Sequence, residues 1–132
     1  LAVEMFLTKE GEILVNEVAP RTHNSGHLTI EANYTSQFEQ HLRAILNLPL
    51  GSTATKAAGV MANLVGEEGH TGDVVYNGYR DLLDLDGVNI HIYGKKETRP
   101  FRKMGHVTVI HEDVAEARRL AGLAKEKINV RT

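Results

Sequence analysis

The chain begins with two β-rich runs of apolar residues, separated by a short polar break. The runs cover residues 2–8 and 12–18, and the break between them ends in Gly11. Two such runs joined by a glycine-containing break predict a β-hairpin. The next segment, residues 19–27, is polar and contains a proline and a glycine, so we expect a loop there.

Apolar residues at helical spacing occur in two further segments. Residues 36–47 are the clearer case, because Ser36 and Glu39 predict a capping box in which each side chain binds a free amide of the first turn. A second box, Asp113 with Glu116, opens a helix close to the end of the chain. The expected buried faces are Phe38, Leu42, Ile45 and Leu46 in the first helix, and Val114, Ala117, Ala121, Ala124 and Ile128 in the second.

The remaining apolar segments predict strands in the second half of the chain. These strands cover residues 58–65, 88–93 and 105–110. Residues 66–78 contain four glycines and are expected to form a loop. The glycine- and threonine-rich stretch 50–56 is the best candidate for a domain boundary.

The whole pattern predicts an α+β protein of two parts. Residues 1–53 would contain the hairpin, the polar loop and the first helix, and residues 54–132 would form a small β-rich domain closed by the C-terminal helix. The length of 132 residues, with 42% hydrophobic and 24% charged residues, suits one average domain or two small ones.

Composition excludes several classes of function. The formal net charge is -2, so a nucleic-acid partner is not expected. The absence of cysteine excludes disulfides, thiolate zinc sites and cysteine nucleophiles. No apolar run approaches the ~20 residues of a membrane-spanning helix, and no signal peptide is recognisable, so we expect a cytoplasmic protein without membrane contact. The chain starts inside an apparent strand without an initiator Met, which suggests a fragment of a longer protein.

Glu4 and Glu17 are the first candidates for chemistry. With a two-residue turn, Lys9 pairs with Glu12 and Glu4 lies opposite Glu17, with the two Cβ atoms ~5 Å apart. Two carboxylates this close repel each other unless a divalent cation such as Mg²⁺ lies between them, and Asn16 offers another oxygen. Two alternatives remain open: a three-residue turn would place Glu4 opposite Asn16, or both glutamates are simply solvated.

The polar loop is a second candidate site. Its side-chain donors, together with Gly26, would allow close contact with an anionic or polar ligand. A turn that packs on the hairpin, with its polar groups hydrogen-bonded within the protein, explains the same composition equally well.

A basic run between two predicted strands is a third candidate. Its arginines and lysines suit a phosphate-binding site, although such runs more often form solvated loops. The cationic residues are Lys95, Lys96, Arg99, Arg102 and Lys103.

Three segments together resemble a known family. They read VEMFLTKEGEILVNEVAPRTHNSGH, TSQFEQHLRAILNLPLGS and IYGKKETRPFRKMGHVTV, and the likeness extends over about residues 1–128. In this order they resemble the C-terminal part of the N5-carboxyaminoimidazole ribonucleotide synthase family, ATP-grasp ligases of purine synthesis. The resemblance implies that residues 1–53 are the tail of an ATP-grasp domain. Residues 54–132 would then be similar to the rudiment single hybrid motif domain of that family.

The resemblance also implies roles for individual residues. Glu4 and Glu17 would bind Mg²⁺, with Mn²⁺ as an alternative ion, and Asn16 and Glu17 would contact ATP. The catalytic residues would be His23, Asn24 and Ser25. The phosphate of aminoimidazole ribonucleotide would be bound by Lys96, Arg99, Arg102 and Lys103, with a one-position ambiguity between Lys95 and Lys96.

The implied reaction carboxylates 5-aminoimidazole ribonucleotide with bicarbonate and ATP, through carboxyphosphate, to give N5-carboxyaminoimidazole ribonucleotide. A glycine-rich phosphate loop and a nucleotide-base pocket are missing, so the chain alone is expected to be inactive and to need an N-terminal portion of the same protein. The resemblance further implies a homodimer. Two residues depart from the family pattern: Thr22 replaces a proline, and Phe101 replaces a glycine and is expected to disturb the backbone that presents Arg102.

Two other hypotheses of function compete with this one. Another ATP-grasp ligase or carboxylase would share the Glu and Asn-Glu pattern but differ in the HNSGH and RKMGH runs. A non-catalytic dimerisation or binding module belongs to a different class, and it would bind a partner or self-associate without binding Mg²⁺ and a nucleotide.

Overall fold

Two units, Leu1–Ala54 and Thr55–Thr132, make up the chain in a computed structural model that describes all 132 residues. Each unit combines helices with antiparallel strands, so the expected α+β class is confirmed. None of the helices has both the length and the apolar character needed to cross a lipid bilayer.

Strands β1 (Ala2–Leu7) and β2 (Ile13–Ala19) form the predicted hairpin. Its turn is longer than expected, because the amide of Thr8 donates to the carbonyl of Glu12 (2.9 Å) and leaves three residues in the loop. Gly11 closes this loop with a φ of +86°, a left-handed conformation that glycine adopts without steric cost. The two-residue turn on which the register prediction was based is therefore wrong.

A β-bulge in β2 compensates for the longer turn. Next to the turn, Met5 lies opposite Val15, but beyond it Glu4 lies opposite Glu17. Asn16 is the extra residue between the two registers. The predicted opposition of Glu4 and Glu17 is confirmed, although a three-residue turn and a bulge together produce it.

Both faces of this hairpin carry exposed apolar side chains. Met5 and Phe6 point to opposite faces, as neighbours in a strand do, and they are 54% and 56% exposed. Strands with apolar residues on both faces are typical of the interior of a larger sheet. A two-stranded hairpin on its own is marginally stable in water, so this element depends on further packing.

Helix α2 (Gln37–Ile45) is the predicted first helix, and a short helix α1 (Thr29–Ala32), which was not predicted, precedes it. Ser36 caps α2 by accepting a hydrogen bond from the amide of Glu39 (3.2 Å). The other half of the expected capping box does not form, because the carboxylate of Glu39 pairs with Arg43 at 2.6 Å.

A three-stranded antiparallel sheet in the order β3-β8-β6 frames the second unit. Its strands β3 (Gly59–Val65), β6 (Val88–Ile92) and β8 (Lys103–Ile110) are the three predicted strands. The predicted loop over 66–78 is partly wrong, because it contains two short strands. The short strands are β4 (Gly72–Asp73), β5 (Val75–Asn77), β7 (Glu97–Thr98) and β9 (Asn129–Arg131), with β4 paired to β7 and β5 to β9.

Helix α3 (Val114–Lys127) packs against β3 and β8 and closes the core of this unit. Asp113 caps it by accepting from a backbone amide two residues further on (2.8 Å), while Glu116 pairs with Arg119 instead of completing a capping box. Val114, expected on the buried face, is exposed. The buried positions are Ala117, Leu120, Ala121 and Ala124, followed by Ile128.

Candidate functional site

Three oxygen-bearing side chains meet at the bulge of the hairpin. Glu4 and Glu17 occupy opposite backbone positions, and the amide nitrogen of Asn16 donates a hydrogen bond to Oε1 of Glu4. Glu4 is half-buried, and the side chain of Glu17 is 52% exposed. The cluster thus places two negative charges across from each other, where they repel unless a cation binds.

The bulge explains how consecutive residues serve one site. In a regular strand Asn16 and Glu17 would point to opposite faces, whereas in a bulge both oppose a single residue of the partner strand, here Glu4. Because the nitrogen of Asn16 binds Glu4, its Oδ1 remains available as a ligand. Two carboxylates and an amide oxygen suit a hard divalent cation. The chain has no group of three or more His, Cys, Asp or Glu side chains placed to hold a metal ion.

His23 connects the polar loop to this cluster. Its ring is buried, and its Nε2 lies 3.8 Å from Oε1 of Glu17. Its Nδ1 lies 2.8 Å from the hydroxyl of Ser25 and accepts a longer hydrogen bond, 3.4 Å, from the amide of Ser25. Because Nδ1 accepts, the neutral ring carries its proton on Nε2, on the side of Glu17. The structure therefore brings His23 and Ser25 together with Glu17.

A helical residue that the sequence analysis missed holds this loop. Asn24 and Ser25 lie in a single 3-10 turn, Asn24–Gly26, which follows His23. Gln37 of α2 accepts a hydrogen bond from the amide of His23 (2.9 Å) and donates one to its carbonyl (2.7 Å). No periodic pattern encodes this contact, because it joins residues far apart in the chain.

Residues 99–102 of the basic run form a tight turn between β7 and β8, whereas Lys95 and Lys96 precede β7 and Lys103 begins β8. The amide of Arg102 donates to the carbonyl of Arg99 (3.1 Å), with Pro100 and Phe101 at the two central positions. Phe101 has a φ of +63°, as the third residue of a type II turn requires, and glycine adopts this conformation most readily. This backbone conformation explains why the family pattern has a glycine here. Phe101, which replaces it, is strained.

Gly66 fixes the position of this turn. The amide of Phe101 donates to the carbonyl of Gly66, and the amide of Gly66 donates to the carbonyl of Arg102, both at 2.9 Å. A Cβ atom at position 66 would lie 2.2 Å from Oγ1 of Thr98 and 2.3 Å from the carbonyl oxygen of Arg99. These two hydrogen bonds hold the turn that presents Arg102 against Gly66, and Phe101 keeps its left-handed φ within it.

The cationic side chains of the run differ in their contacts. Lys95 donates to the carbonyl of Lys103 (2.5 Å), and its ammonium lies 5.7 Å from the centre of the Tyr93 ring. Arg102 donates through Nη1 to the carbonyl of Glu97 (2.8 Å). The exposed side chains without a hydrogen bond or ion pair in the chain are Lys96, Arg99 and Lys103. Of the two neighbouring lysines, Lys96 is therefore the one whose ammonium is available to a ligand.

Two family models match the chain. Residues 59–120 match the phosphoribosylaminoimidazole carboxylase C-terminal domain, and residues 1–38 match the ATP-grasp domain. The first match lies in the second unit, on the three-stranded sheet and the first half of α3. The second covers the hairpin, the polar loop and the start of α2.

Named relatives agree with these matches. The N5-carboxyaminoimidazole ribonucleotide synthase of Bacillus subtilis is 51% identical over 112 residues, which cover 85% of this chain and 28% of that protein. The N5-carboxyaminoimidazole ribonucleotide synthetase of Thermotoga maritima is 59% identical in its crystal structure, with a TM-score of 0.93 over 98% of this chain and 36% of that one. The N5-carboxyaminoimidazole synthase of Aspergillus clavatus, solved with ADP and 5-aminoimidazole ribonucleotide, is 38% identical, with a TM-score of 0.81 over 94% of this chain and 33% of that one.

The chain thus spans 28% to 36% of the length of these relatives. The resemblance found in its three sequence segments is confirmed by both family models and by the structural likeness. The chain belongs to the N5-carboxyaminoimidazole ribonucleotide synthase family, and it contains the end of an ATP-grasp domain followed by the C-terminal domain of that family.

Proposed function

We propose that the chain is the C-terminal part of a ligase that carboxylates the exocyclic amine of 5-aminoimidazole ribonucleotide, using ATP and bicarbonate. The observation that carries this proposal is the opposition of Glu4 and Glu17 at a bulge that adds Asn16. The likeness to an Aspergillus clavatus enzyme solved with ADP and 5-aminoimidazole ribonucleotide supports the choice of substrates.

Glu4 and Glu17 would hold Mg²⁺, and Asn16 and Glu17 would contact the phosphates of ATP. The fit rests on the donor set, since a divalent cation would relieve the repulsion between the opposed carboxylates. Mn²⁺ accepts the same oxygen ligands and is the alternative ion. When bound, the ion would neutralise negative charge on the phosphates.

In the proposed reaction, a bicarbonate oxygen takes the γ-phosphoryl group of ATP, so that ADP leaves and carboxyphosphate forms. The amine of the ribonucleotide then bonds to the carboxyl carbon, or to CO₂ released from it, as inorganic phosphate leaves and the amine loses a proton. His23 and Asn24 would donate hydrogen bonds to the reacting anion, and Ser25 would orient the ring of His23. Catalysis of this kind depends mainly on positioning and charge neutralisation.

The basic run would bind the phosphate of the ribonucleotide. Arginine binds phosphate through paired N–H groups, and lysine acts as a point charge. Lys96 is the better candidate of the two neighbouring lysines, because Lys95 is engaged by a backbone carbonyl and by the Tyr93 ring. The proposed phosphate ligands are Lys96, Arg99, Arg102 and Lys103.

A chimaera tests the proposal. In it, this chain replaces the matching 36% of the Thermotoga maritima enzyme, and ADP release is measured with Mg-ATP and bicarbonate, with and without 5-aminoimidazole ribonucleotide. We expect release that depends on the ribonucleotide. A folded chimaera that binds ADP, but whose ADP release is the same with and without the ribonucleotide, would refute the substrate assignment.

Two lysine variants sharpen the test. Lys96→Met should raise the KM for the ribonucleotide about 10- to 100-fold, the loss expected for one charged hydrogen bond. Lys95→Met is the matched control, because it removes an equal charge from the adjacent position, and its KM should change little. Equal effects of both variants would mean that only the general positive potential of the run matters.

A further inference from the structure

We infer that Gln37 is the positioning residue of the loop that carries His23, Asn24 and Ser25, and that it also selects the tautomer of His27. This inference rests on the proposed function, which assigns the loop to the reacting centre. Gln37 itself lies on α2, outside the loop, and its side chain makes the contacts with the loop.

The carboxamide of Gln37 binds the backbone of His23 as a neighbouring strand would. Its Oε1 accepts from the amide of His23 (2.9 Å), and its Nε2 donates to the carbonyl of His23 (2.7 Å). A backbone amide only donates and a carbonyl only accepts, so these two bonds determine which end of the carboxamide is oxygen. One side chain thus satisfies both backbone groups of His23.

The same nitrogen also reaches His27. Nε2 of Gln37 lies 2.8 Å from Nδ1 of His27. An amide nitrogen donates two hydrogens and accepts none, so Nδ1 of His27 must be the acceptor. The neutral ring of His27 therefore carries its proton on Nε2.

The surroundings hold the carboxamide in one position. A Cβ atom at Gly26 would lie 2.6 Å from Oε1 and 2.7 Å from Cδ of Gln37, so any other residue at this position would displace the carboxamide. The hydroxyl of Thr29 accepts from the amide of Gln37 (2.9 Å) and donates to the carbonyl of Gly26 (2.5 Å). The ring of His27 packs on that of Phe38, with centroids 5.3 Å apart. Groups locked in this way are what the precise orientation of a reacting site requires.

Gln40, one turn further along α2, offers a matched control. Its Oε1 accepts from the amide of Gly51 (2.9 Å), and its Nε2 donates to the carbonyl of Gly51 (2.7 Å). Gln37 and Gln40 therefore make the same pair of backbone hydrogen bonds, but the segment at Gly51 contains none of the proposed site residues. A merely structural role would give both glutamines the same effect.

The first test is spectroscopic and uses the 132-residue chain itself. In Gln37→Glu the carboxylate still accepts from the amide of His23, but it has no proton to donate to the carbonyl of His23 or to Nδ1 of His27. A glutamate in the first turn suits the helix dipole, so the helix should remain. In ¹⁵N spectra of the histidine rings, we expect His27 to carry its proton on Nε2 in the unaltered chain. It should gain a proton on Nδ1 in Gln37→Glu, and Gln40→Glu should leave it unchanged.

The second test is kinetic and uses the chimaera. Gln37→Glu should lower kcat about 10- to 100-fold, the usual effect of releasing a positioning contact, while the KM for ATP stays the same. Gln40→Glu should leave both unchanged. If Gln37→Glu does not fold, Gln37→Met has similar length, makes none of these hydrogen bonds and should give the same loss of kcat.

The two proposals fail in different ways. A histidine spectrum unaffected by Gln37→Glu, or equal losses of kcat in Gln37→Glu and Gln40→Glu, would overturn the role of Gln37. An unaltered chimaera without carboxylation activity would overturn the proposed function, while the histidine spectra of the chain would still decide whether Gln37 selects the tautomer of His27.

Discussion

Replacement of Glu4 by glutamine should make the hairpin more stable when no divalent cation is present. The oxygen of the new side chain can still accept the hydrogen bond from Asn16, so Glu4→Gln removes a charge and little else. Like charges directly opposite each other on antiparallel strands are destabilising, by ~0.2–1 kcal/mol, and Glu17 occupies that opposite position. Local opening of the hairpin should therefore become about 1.4- to 5-fold less frequent.

Amide hydrogen exchange of β1 and β2 measures this local opening directly. The experiment belongs at low ionic strength, because salt screens the repulsion between partly exposed charges. Glu10→Gln is the matched control, since it removes the same charge from the exposed turn, where no carboxylate lies opposite. Exchange should slow in Glu4→Gln and stay unchanged in the control.

Added Mg²⁺ should then reverse the order of the two proteins. The unaltered hairpin should exchange more slowly once a cation relieves the repulsion between Glu4 and Glu17, and Glu4→Gln should respond less. Faster exchange in Glu4→Gln without Mg²⁺ would refute the repulsion argument. Equal responses of both proteins to Mg²⁺ would refute the assignment of Glu4 as a metal ligand.

Other parts of the chain give three further predictions. Phe101→Gly should be about 1 kcal/mol more stable than Phe101→Ala in denaturant unfolding, because a left-handed φ penalises any Cβ atom, and equal stabilities would contradict strain at this turn. Burial raises the pKa of the Tyr93 hydroxyl, so the folded chain keeps that proton when the unfolded chain loses it near the ordinary pKa of 10.0. The free energy of unfolding should therefore fall as pH rises past that value, and it should fall less steeply in Tyr93→Phe. The isolated chain should release no ADP from ATP in a coupled assay, and turnover abolished by Glu17→Gln would show that the chain is active alone.

Periodicity and capping residues located the main elements because their signals are local. Ser36 and Asp113 do cap α2 and α3, as predicted. The partner halves of both capping boxes failed, because Glu39 and Glu116 find an arginine three or four residues further along the helix. Such competition between a cap and an ion pair cannot be decided from the spacing of residues alone.

The short strands were missed for a different reason. β4 and β5 contain two and three residues, too few to show a period, and each exists because a partner strand lies beside it. Their partners β7 and β9 come much later in the chain. Local pattern therefore describes this region as a glycine-rich loop.

Residues of the candidate site that interrupt a local sequence pattern could be predicted. Residues whose role depends on tertiary contacts could not. Glu4, Asn16 and Glu17 stood out because charged and amide side chains interrupt apolar strands. Gln37 did not stand out, because its contacts with His23 and His27 depend on how the loop folds onto α2. The choice between Lys95 and Lys96 likewise required the backbone carbonyl that engages Lys95.

The bulge at Asn16 also makes the hairpin tolerant of changes in length. Residues 5–16 separate the two glutamates, and the same number would fit a two-residue turn without any bulge. Inserting or deleting one turn residue could be absorbed by straightening β2, which would leave Glu4 opposite Glu17. The contact between Asn16 and Glu4 exists only while the bulge does. Length variation at this turn would therefore preserve the opposed carboxylates and remove the contact between Asn16 and Glu4 first.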